Sequence, residues 1–484
     1  MRTASLNPFR IAASQVSRCA ATALCLAISG CESADDPASL LTPSTSSRSA
    51  LGANDGSALV LRGTVITPDA VLKHGYVAIV NGRIVSVSEK QPDIPGASMV
   101  NTEGIIAPGF VDVHNHISWN ALPRWNPSTT FSNRDEWANS LEYQAAIAPI
   151  VPLMSSQYCD LNAWGELRAL VGGTTSIIGT RPVACIYGLV RNLDHNSGFY
   201  GTTELNRERI YNNVLFPSPS DADGRAQLVA IATFLNLNPL AEALVVHAAE
   251  GTDAFSEEQF TFLQSNSLLG PKGVIVHGIS LVPSDFQAMA ETGTALVWSP
   301  KSNLELYART TNVIAALDAG VEIAIAPDWA ITGSSNMLDE LKVATQWNRE
   351  HLGGRLTDRQ LLEMVTSVAA RIVGIDDEVG AIRPGLRADL TIISGDISNA
   401  LSAVINARPA NVQLVLIGGI PVYGSRSLME RFWLSTALEE IGLPGGPKTL
   451  ASPAAGFVVS GVAARLDAAL RGAGASLAPL TEFP

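Results

Sequence analysis

The chain has 484 residues, a formal charge of −13 and a mean hydropathy of +0.20, with 16% charged and 46% hydrophobic residues. That length accommodates two or three domains, or one large α/β barrel with attachments, and the sparse charge with abundant apolar residues excludes a disordered chain. Residues 1–30 carry three arginines and no acid, so the remainder is more acidic than the total; such a surface repels phosphate backbones and excludes nucleic acid as the partner.

Arg2, Arg10 and Arg18 surround or precede an apolar segment, 19–30, that is too short to span a bilayer. Residues 1–30 therefore read as an export signal peptide. The segment ends Leu26-Ala-Ile-Ser-Gly-Cys31, similar to the bacterial lipoprotein lipobox. That similarity implies Cys31 as the lipidated first residue of an exported protein, anchored to the cell envelope only through this lipid. Residues 31–57, rich in Ser, Ala, Asp and Pro, read as a flexible tether. Two cysteines are left for the mature fold, Cys159 and Cys185. They are compatible with one disulfide in an oxidising compartment or with two separate thiols, and neither lies in a CxxC, which excludes a zinc ribbon.

From residue 58 the text turns to short β runs at 58–66, 76–80 and 83–88, the last two joined by the hairpin cue Asn81-Gly82. A second β patch follows far downstream at 380–393, 411–417 and 419–423. Two separated patches predict one small discontinuous β-sandwich, 58–104 with 378–425, built from both ends of the chain. Between them apolar runs at 174–178, 243–246, 273–276, 294–298 and 321–326 alternate with helical patterns at 253–264, 284–291, 311–319 and 337–350. Repeated βα units of this spacing predict an α/β fold, a TIM (β/α)8 barrel over 105–377. The third and fourth strands fit worst; 185–191 and 210–216 are the candidates. Residues 426–484 read as a helical extension.

The stretch Gly104-Ile-Ile-Ala-Pro-Gly-Phe-Val-Asp-Val-His-Asn-His116 ends an apolar run with two histidines one residue apart. On a strand such residues share a face, so His114 and His116 aim two imidazoles at one point. The later strands end in the same manner: 243–246 in His247 with Glu250 three residues on, 273–276 in His277, and 321–326 in Pro327-Asp328. Barrel enzymes keep their active sites at the C-terminal ends of their strands, so these six residues are the candidate site. Trp119 and Trp329 adjoin it and are candidates to stack on a planar substrate or to pack the rim; Asn303, at the expected mouth after the seventh strand, is a further candidate to contact substrate. His195 reads as an exposed loop residue, and His74 and His351 fall outside the mouth.

The set of motifs, Ala107-Pro-Gly-Phe-Val-Asp-Val-His-Asn-His116, Gly172-Gly-Thr-Thr175, His247-Ala-Ala-Glu250, Val276-His-Gly278, Ser299-Pro-Lys-Ser-Asn303, Pro327-Asp-Trp329 and Arg383-Pro-Gly-Leu-Arg-Ala-Asp-Leu390, resembles the amidohydrolase superfamily, in particular its cytosine deaminase and chlorohydrolase-like branch. The resemblance runs from about residue 58 to 425. It implies one divalent metal, zinc or Fe2+, held by His114, His116, His247 and Asp328. No lysine occurs between Lys90 and Lys272, so the carboxylated lysine of binuclear members has no counterpart; a glutamate such as Glu204 or Glu208 is a conceivable substitute, and the site reads as mononuclear. In the implied mechanism Asp328 takes a proton from a metal-activated water, His277 orients the attack and Glu250 shuttles a proton to the ring nitrogen or departing amine. The expected activity is hydrolysis of a non-peptide C–N bond in a small cyclic amidine or amide, most simply deamination of an N-heterocycle. Ring-opening hydrolysis and a non-catalytic surface binding lipoprotein are the alternatives. A homo-oligomer is compatible with the sequence.

Overall fold

The computed structural model describes residues 58–179, 188–194, 210–217, 221–237, 242–443, 445–451 and 458–482. The expected signal peptide and tether with Cys31, and also Cys185, His195, Glu204 and Glu208, lie outside the described residues.

The N-terminal β patch forms β1 (Leu59–Ile66), β2 (Val71–Val80), β3 (Arg83–Ser88) and β4 (Ser98–Pro108). Asn81 and Gly82 take φ of 51° and 74°, the two left-handed positions of the tight turn whose twist matches its strands, so they close the β2–β3 hairpin. At Pro108-Gly109 the chain leaves this sheet and enters another as β5 (Phe110–Asp112). A Cβ on Gly109 would lie 2.3 Å from the Thr175 side chain, so no larger residue fits where the chain crosses.

Three parallel strands, β5, β6 (Thr174–Ile177) and β7 (Arg191–Asn192), lie side by side. Five more follow in order: β8 (Ile210–Leu215), β9 (Ala243–Ala248), β10 (Gly273–His277), β11 (Ala295–Trp298) and β12 (Ile323–Ile325), all parallel. The seam between the first and last is joined at the C-terminal ends by a parallel bridge, Asn115 with Asp328. At the opposite end Val111 N and Ile325 N donate to the Val365 and Met364 carbonyls, each at 2.9 Å. Eight parallel strands alternating with helices give the expected (β/α)8 barrel; β8 falls within the expected 210–216, whereas β7 begins only at Arg191, the last residue of the expected 185–191.

Strand alternation divides the barrel residues into two sets. Val111, Val245, Val274, Val276, Val297 and Ala324 cluster among themselves and with the helix Ser367–Ile372, while Leu244, Val246, Ile275, Leu296 and Ile325 belong to the large core shared with the flanking elements. The first set is the small, branched interior of the barrel. Continuing β9 inward by two residues from Val245 brings His247 to its mouth.

The downstream patch supplies β13 (Leu390–Ile393), β14 (Val412–Ile417) and β15 (Ile420–Ser425). β13 pairs antiparallel with residues Ile105 to Pro108 of β4, so the two chain ends build one sheet. The segment 426–484 departs from its reading as a helical extension. It adds β16 (Leu438–Ile441) and β17 (Lys448–Ala451) to that sheet, whose order is β16-β17-β15-β14-β13-β4-β1-β2-β3. Only then does the helix Val459–Gly472 follow, with Arg465 paired in two bonds of 2.7 and 2.8 Å to Asp160 of the helix Tyr158–Val171. Cys159 beside it is disulfide-bonded. No helix among the described residues is long and apolar enough to cross a membrane.

Candidate metal centre and active site

All four histidines expected at the barrel mouth converge. The His114 ring lies 5.3, 4.6 and 5.5 Å, centroid to centroid, from those of His116, His247 and His277. The Asp328 Oδ1 atom is 3.1 Å from His114 Nε2 and 3.4 Å from His116 Nε2. Two groups of donor atoms, His114 with His116 and Asp328, and His114 with His247 and His277, each fall within 4.8 Å of one another and share His114.

Local backbone strain aims two of these side chains. His277 and Asp328 have φ of 73° and 66°, a conformation that residues other than glycine seldom adopt and that clusters at functional sites. Val276 already faces the barrel interior, so a straight continuation of β10 would turn His277 outward; the left-handed turn brings its ring back over the mouth.

The donor set fits a divalent cation. His247 is buried, yet neither of its ring nitrogens has a hydrogen-bond partner, and His114 Nδ1 is likewise unpartnered. Buried polar atoms are almost always paired, so a buried imidazole with both nitrogens unpartnered, set among three other histidines, is what a metal ligand looks like without its ion. Burial pushes the His114 imidazolium down to about 4 and holds His247 well below the usual range, which keeps both rings neutral, the form that binds metal. Burial alone would raise the Asp328 carboxyl, but charge and hydrogen bonds from His114 and His116 outweigh it and hold Asp328 well below the usual carboxylate range.

A second layer fixes this cluster. The Asp112 carboxylate accepts from His114 N at 3.2 Å and from Asn115 Nδ2 at 2.6 Å. Asn120, on the short 3-10 turn Ile117–Ala121, donates to Asn115 Oδ1 and accepts from Ala330 N, both at 2.8 Å, so it staples the loop of His114 and His116 to the loop of Asp328. Behind Asn120, the buried Arg168 donates to its carbonyl at 2.5 Å and pairs with Glu482 at 3.0 Å. Ala478 N donates to Ala121 O at 3.0 Å, so the C-terminal tail backs the metal loop directly.

Asn303 does not face substrate as expected. It is fully buried; its Oδ1 lies 2.9 Å from His277 Nδ1 and its Nδ2 donates to Thr310, so its place is behind His277. Tyr307 was not anticipated: its hydroxyl donates to Glu250 Oε1 at 2.7 Å, and Glu250 Oε1 lies 3.8 Å from His277 Nε2. The signal was available, because Asn303 and Tyr307 stand four apart on the helix Pro300–Tyr307 and so share a face.

The long loop after β5 folds over the mouth through three short helices, Arg134–Ala138, Leu141–Ile147 and Leu153–Ser156. Trp125, Phe131, Trp137 and Tyr143 pack into one aromatic cluster there. Trp329 joins it, 5.5 Å from Trp137, 5.9 Å from Trp119 and 6.0 Å from His116. Trp329 is buried and Trp119 half-buried, so an aromatic wall runs from the lid to the metal ligands. Thr252 N donates to Ser132 O and Phe131 N to Leu306 O, pinning the lid to the loop after β9 and to the helix Pro300–Tyr307 that follows β11.

Residues 222–422 match the model of the amidohydrolase family. The chain is 23% identical over 427 residues to the 5'-deoxyadenosine deaminase of Methanobrevibacter smithii, covering 78% of this chain and 95% of that one. Among solved structures it resembles an adenosine deaminase from Xanthomonas campestris with bound zinc, at a TM-score of 0.57 and 18% identity over 86% of this chain and 99% of that one. It also resembles atrazine chlorohydrolase from Arthrobacter aurescens TC1, determined as a Glu→Gln variant with zinc and atraton, at a TM-score of 0.63 and 16% identity over 85% and 99% of the two chains. These likenesses agree with the observed fold, a barrel with a separate sheet domain, and with a ligand cluster that could hold a metal. The family model, the deaminase relative and the chlorohydrolase structure all point to the amidohydrolase superfamily and to its deaminase and chlorohydrolase-like branch as what this chain resembles.

Proposed function

We propose that the protein is a metal-dependent deaminase of an N-heterocycle, a nucleoside or free base being the favoured substrate class. The observation that carries this reading is Glu250: a buried carboxylate beside the metal cluster, outside the predicted ligand set, held by Tyr307 and facing the position His277 shares. A binding protein needs no such proton carrier. The deaminase names of the relatives and the zinc in the neighbouring structures support the same choice.

His114, His116, His247 and Asp328 would hold one divalent ion, zinc in the first instance, which supplies the Lewis acidity that lets water ionise near neutrality. Asp328, held ionised, takes one proton from the attacking water. His277, fixed through Nδ1 by Asn303, points Nε2 at the mouth and orients the attack. Glu250 takes up and delivers a proton at the ring nitrogen next to the attacked carbon. Water thus gives its oxygen to that carbon and its two hydrogens to the ring nitrogen and the departing amine; the C–NH2 bond breaks, leaving a ring carbonyl and ammonia. The wall of Trp119 and Trp329 suits the flat face of such a ring. A panel of purines, pyrimidines and their nucleosides, assayed for ammonia with the zinc-loaded enzyme, tests the reading. Ammonia from at least one class supports it, and ring opening without ammonia would replace it with the ring-opening alternative.

We also propose export and anchoring through lipidated Cys31. Cys31→Ser should release the protein from the membrane fraction, and retention there would overturn the anchor.

A further inference from the structure

The hydrogen bonds around Tyr307 have a determined direction. Trp137 Nε1 lies 2.8 Å from the Tyr307 oxygen, and an indole nitrogen only donates. The tyrosine oxygen is therefore the acceptor in that bond, and its single proton is left for Glu250 Oε1 at 2.7 Å. Tyr307 is 4% exposed and Trp137 3%, so water does not compete for either bond. Glu250 Oε1 is thus held as an acceptor by Tyr307, which fixes the orientation of the carboxylate beside His277.

From this we infer that Tyr307 is a positioning residue for the proton carrier, and that Trp137 sets it from the lid. The inference rests on the reading of Glu250 as that carrier. Trp137 sits on Arg134–Ala138 of the loop that covers the mouth, and it packs 5.5 Å from Trp329, which in turn lies 6.0 Å from His116. A displacement of the lid withdraws the indole N–H, frees the tyrosine rotor and releases Glu250 Oε1. The proton carrier is then set only when the lid is seated, so proton transfer is tied to a covered, water-poor site.

The test is a double-mutant cycle in the zinc-loaded enzyme, on the substrate that gives the highest ammonia release. Tyr307→Phe removes one oxygen and keeps the ring; kcat should fall roughly 10- to 100-fold, the lower range of general acid–base effects, with KM within about twofold and zinc content unchanged. Trp137→Phe, which keeps an aromatic ring in the wall, should lower kcat about 3- to 10-fold. The double variant should be no slower than Tyr307→Phe alone, because Trp137 acts through Tyr307. Losses that multiply would overturn the relay, as would a Tyr307→Phe rate within about twofold of wild type while Glu250→Gln is crippled. Should Glu250→Gln itself turn over normally, the assignment of Glu250 falls instead. If Tyr307→Phe does not fold, Trp137→Phe decides alone: an unchanged kcat refutes the relay, and a lowered kcat at constant KM and zinc content supports it.

Discussion

Removal of the Glu482 carboxylate should weaken both the fold and the metal site, although only Phe483 and Pro484 follow it in the sequence. Glu482 Oε1 pairs with Arg168 at 3.0 Å, and the Arg168 side chain is 0% exposed. Burial pulls the guanidinium down from its ordinary value, and Glu482 is the leading group that opposes this. In Glu482→Ala the cation keeps its bond to the Asn120 carbonyl, but its Nε has no partner even in the intact protein. Breaking a buried pair from one side typically costs about 3–5 kcal/mol. Since Glu482 is itself 13% exposed, the lower end, about 3 kcal/mol, is expected here. Glu482→Gln retains one acceptor oxygen and should cost about 1.5–2 kcal/mol, the lower part of the range for a hydrogen bond to a charged group. Because Arg168 holds Asn120, and Asn120 staples the two ligand loops, zinc affinity should fall about tenfold or more, as for other residues that orient metal ligands. Urea unfolding of the metal-free protein and chelator competition for zinc measure the two effects separately. A loss under about 1 kcal/mol in Glu482→Ala with unchanged zinc affinity would refute the reasoning.

Metal-free protein should lose stability in mild acid through the ligand histidines. His114 is held at about 4 when folded against an ordinary 6.5, so the unfolded chain binds its proton first; its contribution is intact above about pH 6.5 and is lost as pH falls towards 4. Glu166 and Glu340, raised by burial to about 7, act in the opposite sense, so the comparison must be with His114→Gln. Between pH 8 and pH 5 wild type should lose about 2 kcal/mol more than the variant in urea unfolding, and parallel curves would contradict this. At saturation the enzyme should hold about one zinc per chain, because a single ligand set is predicted. Elemental analysis showing two tightly held ions, both required for activity, would refute a mononuclear site.

The metal cluster was legible because two simple periods carry it. His114 and His116 are two apart on a strand exit, and His247, His277 and Asp328 each close an apolar run of strand length. What surrounds the cluster was not legible, for identifiable reasons. The lid from Ser118 onward consists of helices of four to seven residues whose aromatic side chains face one another, so no amphipathic period is written in them. β16 and β17 are four residues each, and Glu439, Glu440 and Lys448 mask their alternation; Lys448 is buried only because its ammonium donates to the Val412 carbonyl. Asn303 was placed at the mouth correctly but with its amide facing the wrong neighbour, since sequence spacing gives a face and not a partner. Asn120 and Glu482 act through backbone groups and through contacts across more than three hundred positions, which no local pattern encodes.

Deamination at this site requires separate tasks for Glu250 and the metal ligands. Glu250→Gln keeps the size of the side chain and its ability to accept from Tyr307, but cannot exchange a proton. It should retain wild-type zinc content and lower kcat for ammonia release by roughly 10²–10⁴, the span of general acid–base catalysis. His247→Ala, measured in parallel, should lose the zinc together with the rate. Near-normal turnover by zinc-replete Glu250→Gln on the true substrate would contradict the deaminase mechanism and leave Asp328 as the only proton carrier.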